Sequence, residues 1–197
     1  GFGHIGRRIG EICRAGFSMG LLAYDPALSP EQIRLRGGEP KDLESLLSTA
    51  DYVVVACPLT PQTRRLIDAN AFRCMKPGAI FVTAARGGIH DETALYDALK
   101  QGHLGGAGLD VWEQEPPPLD HPLLTLGNVV ATPHIAGWSR ETNFALARSA
   151  AEQWITILRG NYPPRLCNPE VWPAYQERFL RVTGRPAVEG PATDERS

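Results

Sequence analysis

Cysteine is sparse in this chain. Cys13, Cys57, Cys74 and Cys167 lie far apart among 197 residues, with no C-x-x-C pair. That spacing excludes a disulfide framework and offers no set of metal ligands, so no metal is expected. The thiols read as those of a reducing compartment, which places the protein in the cytoplasm. An excess of one charge is also missing: 20 Lys and Arg face 22 Asp and Glu, for a formal charge of −2. Without a basic stripe to follow a phosphate backbone, nucleic acid is excluded as a partner. No apolar run comes near the roughly 20 residues of a membrane span, and no charged-then-apolar leader opens the sequence, so no membrane partner is expected. The length suits one sizeable core, and a second complete domain is not expected.

What is present is alternation. After "GFGHIG" the stretch to Phe17 puts Ile5, Ile9, Ile12 and Cys13 at helical spacing, with Gly16 as a stop. "GLLAYDP" follows as a short buried strand ended by Asp25 and Pro26. "KDLESLLSTA" then reads as helix, "DYVVVAC" as a β-branched strand, "DANAFRCM" as a short helix and "GAIFVTAA" as another strand. Asp91 caps a helix over "ETALYDALKQ", and "GAGLDVW" and "NVVATP" supply two further strands. Strand and helix in turn predict an α/β fold, a Rossmann-like parallel sheet with helices on both faces. A long helix after Ser139 carries Phe144, Ala147, Ala151, Trp154 and Leu158 on one stripe and ends at Gly160; beyond it the chain is broken by prolines.

The chemistry-bearing residues sit where strands end. Gly1, Gly3 and Gly6 form a G-x-G-x-x-G turn, in which one glycine permits the bend, one lets backbone approach a pyrophosphate, and one lets helix and strand pack. Helix-start N–H groups near His4 and Ile5 then face the phosphates. Such glycines also mark ordinary turns; the support here is Asp25, about twenty residues on, whose carboxylate can accept ribose hydroxyls and repel a 2′-phosphate, favouring NAD over NADP. Arg86, after a strand and before two glycines, is suited to a substrate carboxylate. Asp110, Glu113 and Glu115 follow the next strand and His134 the one after. A histidine there can give a proton to a developing alkoxide and take it back. Singly, each of these reads more readily as a surface ion pair or a packed side chain; together they describe a hydride-transfer site.

Taken in order, "GFGHIG", "AYDP", "PLTPQT", "MKPGAIFVTAARGG", "GLDVWEQEPP", "HPLL" and "TPHIAG" closely resemble the NAD-binding domain of D-isomer-specific 2-hydroxyacid dehydrogenases, from Gly1 to about Asn168. The resemblance implies an NAD-dependent oxidoreductase acting on a small 2-hydroxy or 2-keto acid. It implies that Arg86 binds substrate, that His134 is the catalytic histidine, and that Glu115, before Pro116, is its partner. It carries cofactor contacts to His4, Ile5, Asp25, Pro58, Thr63, Ala84, Ala85, Arg86, Asp110, His134 and Gly137, beside Gly1, Gly3 and Gly6, with Asp110 near the nicotinamide amide. Thr83 and His90 depart from the family pattern, where asparagine and an apolar residue are common. A homodimer of the full-length parent is implied, with "GHLGGAG" to "PPPLDHPLL" as the contact region.

Residues 1–160 are expected to form the dinucleotide-binding domain, 161–182 a return segment toward a substrate domain, and 183–197 a disordered tail. In the Rossmann strand order 3-2-1-4-5-6 the strand before Gly1 is the first, central one. Its absence from the chain predicts an N-terminally truncated fragment with a gap between the Asp25 strand and "DYVVVAC". Two other readings stay open at this stage: an NAD-sensing binding protein of corepressor type on the same scaffold, and a catalytically inactive fragment.

Overall fold

A computed structural model describes residues 1–190. They fall into two compact units, Gly1–Ala136 and a second that begins at Gly137. The compact units divide at 136, short of the domain boundary expected at 160, so that the long helix lies in the second unit.

In the first unit, α1 (His4–Phe17) springs directly from the glycine turn. It runs past Gly16, the expected stop, and closes at Ser18, whose φ of 56° lies in the left-handed region. The chain then enters β1 (Leu22–Ala23), α2 (Pro30–Leu35) and β2 (Glu39–Pro40). Helix α2 has a capping box: the Ser29 hydroxyl accepts from Gln32 N–H at 3.2 Å, and Gln32 accepts from Ser29 N–H at 2.8 Å. After α3 (Leu43–Thr49) come β3 (Tyr52–Val55), α4 (Ala69–Cys74), β4 (Ile80–Thr83), α5 (Glu92–Lys100), β5 (Gly106–Leu109) and β6 (Val129–Ala131). Asp42, Asp68 and Asp91 cap α3, α4 and α5 by accepting a backbone N–H in the first turn.

The strands form two parallel sheets, β1-β2 and β3-β4-β5-β6. In the larger one Tyr52 pairs with Ile80, Ile80 with Gly106 and Ala107 with Val129, so β4, β5 and β6 end at one rim. Phe81 on β4 is fully buried and meets Phe72 of α4 edge to face, centroids 5.2 Å apart. Leu95, Leu99, Leu104, Leu109 and Leu123 complete the packing.

The gap between the sheets falls where the sequence places it. It is a groove of about 420 Å³ lined by Leu22 of β1, Val53 and Val54 of β3, Ile9 and Cys13 of α1, and Leu46 of α3. At one end Gly1 bridges it, its amino group donating to the Tyr24 carbonyl at 2.9 Å. The groove explains two differences from the expected burial. Strand β3 alternates rather than being buried throughout, with Tyr52 and Val54 exposed. The predicted apolar face of α1 is only half covered, Ile5 and Ile12 being exposed and Ile9 and Cys13 facing the groove.

The second unit contains α6 (Arg140–Leu158), capped by Ser139, and α7 (Trp172–Thr183). The return segment expected over 161–182 is therefore largely helical: Pro173 stands in the first turn of α7, where its missing N–H has no intrahelical acceptor to lose. Trp172 stacks on Tyr175 at 4.7 Å and meets Tyr162 edge to face at 4.9 Å. Of the tail expected to be disordered, Val188 is tied down, donating to the Gly160 carbonyl at 2.7 Å and accepting from Trp172 Nε1 at 3.2 Å. Residues 191–197 of that tail lie outside the described residues. The stripe Phe144, Trp154 and Leu158 on α6 is exposed.

Candidate active site

The glycine turn presents the start of α1 with no side-chain cap. The first helical bond runs from Arg7 N–H to the Gly3 carbonyl at 3.0 Å, so the N–H groups of His4, Ile5 and Gly6 have no helical carbonyl behind them. That end of the helix carries the positive pole of its dipole. A Cβ on Gly1 would stand 2.7 Å from Cys57 N, and one on Gly6 would stand 2.2 Å from the Gly1 carbonyl oxygen. Close backbone contact therefore requires both glycines. A Cβ on Gly3 would meet nothing within 4 Å, so open space lies over the helix start, where a pyrophosphate fits. Asp25, just past β1, accepts Phe2 N–H at 2.7 Å through Oδ2 and Ala27 N–H at 3.0 Å through Oδ1. It fastens the glycine turn to its strand and keeps lone pairs for a ribose.

The loop after β3 is closed on itself. Thr63 donates its hydroxyl to the Pro58 carbonyl at 2.6 Å and accepts Thr60 N–H at 2.7 Å. After β4, the buried Thr83 is followed by exposed Ala84, half-buried Ala85 and exposed Arg86, whose Nη1 donates to the Ala85 carbonyl at 2.6 Å. The backbone here presses on the next loop: a Cβ on Gly87 would lie 1.7 Å from the Trp112 carbonyl oxygen.

That next loop, after β5, carries Asp110 and Glu115. Asp110 is buried and accepts from Thr132 Oγ1 at 2.5 Å, Ile135 N–H at 2.8 Å and Ala136 N–H at 2.9 Å. Burial alone would push its carboxyl pKa up. The Thr132 and backbone hydrogen bonds, with the His134 ring nearby, outweigh that and hold it below the usual carboxylate range. Asp110 thus pins the turn 132–136 from below. On that turn His134 has φ 59°, a left-handed backbone uncommon outside glycine and frequent at working sites. Its Nδ1 stands 2.7 Å from Glu115 Oε2, while Glu115 Oε1 accepts Trp112 N–H at 3.1 Å. The His134 hydrogen bond is the main reason that the Glu115 carboxyl is lowered; the Trp112 N–H and the Arg86 charge act in the same direction. With Nδ1 committed to the carboxylate, Nε2 is the ring nitrogen free for exchange with a ligand.

Arg86, Asp110, Glu115 and His134 therefore meet at one rim of one sheet, and the glycine turn with Asp25 lies on the first unit's other sheet. Gly137 is the first residue of the second unit. Glu113 stands apart from this cluster, contributing its N–H to Glu92 at 2.6 Å. Thr132 escaped the sequence reading, although a hydroxyl two residues before His134 at a strand end was its signal. Among the described residues no His, Cys, Asp and Glu cluster has metal-binding geometry.

A helix start left open behind three glycines, a carboxylate after the neighbouring strand, and a Glu–His pair at the strand ends are the features of a dinucleotide-binding α/β domain. The chain belongs to the family described as D-isomer specific 2-hydroxyacid dehydrogenase, NAD binding domain, whose profile matches residues 1–136. It is 44% identical over 171 residues to a glyoxylate reductase of Korarchaeum cryptofilum, covering 87% of this chain and 51% of that one. It is 44% identical over 160 residues to a D-3-phosphoglycerate dehydrogenase of Archaeoglobus fulgidus, covering 81% of this chain and 30% of the relative. Among solved structures it resembles the apo D-mandelate dehydrogenase of Rhodotorula graminis, with a TM-score of 0.77, 36% identity, and coverage of 83% of this chain and 48% of that one. The chain thus spans about half the length, or less, of the relatives it matches.

Proposed function

We propose that this chain is the cofactor-binding and proton-transferring part of an oxidoreductase that interconverts a small D-2-hydroxy acid and its 2-keto acid. The observation that carries the reading is the 2.7 Å contact between His134 Nδ1 and Glu115 Oε2 at the rim that also carries Arg86. When bound, NAD supplies the hydride acceptor or donor at its nicotinamide. The N–H groups of His4 and Ile5 receive its pyrophosphate, and Asp25 receives the adenosine ribose, which favours NAD over NADP. Pro58, Thr63, Ala84, Ala85, Asp110 and Gly137 complete the proposed cofactor contacts, with Asp110 acting chiefly through the turn it holds.

In the direction of reduction, doubly protonated His134 releases the proton at Nε2 to the substrate carbonyl oxygen as the carbon becomes an alcohol. Glu115 stabilises the positive ring before that step and keeps Nδ1 protonated after it, so the same nitrogen recovers a proton in the reverse direction. Arg86, with guanidinium donors beyond the one spent on Ala85, grips the substrate carboxylate in a planar fork. The domain assignment follows: 1–136 carries the proton relay and every proposed cofactor contact except Gly137, and the segment from Gly137 is proposed to lead to a substrate domain. A homodimer of the longer protein and a cytoplasmic location belong to the same proposal.

The deciding experiment is fluorescence titration of this chain with NADH and with NADPH. Saturable NADH binding that is weakened in Asp25→Ala, with NADPH bound less tightly, supports the reading; no binding of either nucleotide rejects it.

A further inference from the structure

Glu92, the first residue of α5, is largely buried and does not touch the proposed relay, yet its carboxylate is fully engaged. Oε1 accepts Glu113 N–H at 2.6 Å, and Oε2 stands 3.1 Å from His121 Nε2. The His121 ring is fixed from its other side as well. Its Nδ1 accepts Leu123 N–H at 3.3 Å, which leaves Nε2 as the protonated nitrogen and makes it the donor to Glu92. Trp112 packs its indole edge to face against that ring, 5.3 Å between centroids, while Trp112 Nε1 donates to the Thr132 carbonyl at 3.0 Å.

Glu113 and His121 are the two ends of the loop that carries Glu115. A loop of this kind, with polar residues, prolines and an exposed tip at Leu119, has little apolar packing of its own to hold its shape. One carboxylate, placed by a helix outside the loop, ties both ends.

We propose that Glu92 is a positioning residue for the Glu115–His134 pair, its single carboxylate clamping both ends of the 113–121 loop so that Glu115 stays against His134 Nδ1. This rests on the reading of that pair as the proton relay. The closed ring of contacts runs from Glu92 to Glu113 N–H, along the backbone to Trp112 and Glu115, across to His134, and back through Thr132, Trp112 and His121 to Glu92.

The test compares wild type, Glu92→Gln, Glu92→Ala and His134→Ala in this chain by two NMR readouts: titration of the Glu115 side-chain carboxyl, and the signal of the proton on His134 Nδ1. Thermal melting is followed in parallel. In Glu92→Ala the Glu115 titration is expected to move up toward the ordinary carboxylate range, and the Nδ1 proton signal is expected to be lost to exchange. Glu92→Gln fills the same space and keeps an acceptor for Glu113 N–H while losing the carboxylate toward His121. It is expected to show the same changes in smaller degree, and it decides the matter if the alanine variant fails to fold. Variants that melt at a lower temperature but leave both signals superimposable on wild type would show that Glu92 serves stability alone, and would overturn the proposal. If His134→Ala also leaves Glu115 unmoved, the relay itself is wrong and the role of Glu92 falls with it; if His134→Ala moves Glu115 and the Glu92 variants do not, only the clamp is refuted.

Discussion

Among the described residues, the buried apolar cluster at β1 and β2 consists of Phe2, Ala23 and Ile33, whereas the cluster around β3–β6 has 17 members, from Leu47 to Leu123. The smaller side is held in large part by polar ties. Asp25 holds Phe2 N–H at 2.7 Å, Gly1 holds the Tyr24 carbonyl at 2.9 Å, and Arg36 donates to the Phe2 carbonyl at 3.1 Å. The proposed nucleotide grip thus lies on the thinly packed sheet and the proposed proton chemistry on the heavily packed one.

The sharpest way to break this division is His134→Ala. In an enzyme form of this chain that reduces 2-keto acids, turnover should fall by roughly 10²–10⁴, the range for a lost general acid, while NADH binding survives. A variant that loses NADH binding as well would mean that the two regions are not separable.

Next in size is an acid sensitivity confined to the larger core. His90 is wholly buried, packs against Phe81 at 5.4 Å between centroids, and has no hydrogen-bond partner on either ring nitrogen. Burial lowers its pKa to about 4 from 6.5, partly opposed by Asp91. Between these two values the unfolded chain binds a proton that the folded chain refuses, so stability falls as pH drops through that window. The loss is about 3 kcal/mol in all. His90→Val should flatten this part of the stability–pH curve and raise the melting temperature at pH 5, measurable by calorimetry. Equal pH slopes in the two proteins would show that the ring finds a partner in solution.

Arg86→Lys tests the rim more gently. An ammonium keeps the charge and loses the planar fork, so KM for the keto acid should rise about tenfold with a smaller change in kcat. The smallest effect belongs to the thin sheet: Asp25→Ala frees Phe2 N–H and should weaken NADH by about 1 kcal/mol, a few-fold in Kd, with the melt of the larger sheet unchanged. Unchanged NADH affinity would remove Asp25 from the nucleotide grip.

Much of the larger sheet was legible because its signals are local. The β-branched run around Tyr52–Val55, the Asp91 cap and the placing of Arg86, Asp110 and His134 after strands coincide with the structure, while the strands read over "GAIFVTAA" and "GAGLDVW" end earlier, at Thr83 and Leu109. The thin sheet was harder to read. "GLLAYDP" shrinks to a two-residue strand because only β2 pairs with it, and the Ser29–Gln32 capping box that starts α2 is a signal of modest strength. Helix α7 was hidden by Pro173, a residue that begins helices as readily as it breaks them. From spacing alone the rim was legible as a set of residue types; of its contacts, the Glu115–His134 pairing came from the family resemblance. Nothing in the spacing of Glu92, Glu113 and His121 says that one carboxylate joins them, since that depends on how α5 docks beside the loop.

Gly87 carries a consequence for how such a domain can diversify. Alanine, the smallest possible change, would already drive a methyl carbon to 1.7 Å from the Trp112 oxygen. The position therefore admits no gradual tuning, and the loops bearing Arg86 and Glu115 behave as a single casting. A lineage can reshape the side chains around Arg86, but drift at residue 87 cannot alter the spacing from Arg86 to the Glu115–His134 pair. In a saturation library scored for folding, residue 87 should return glycine alone.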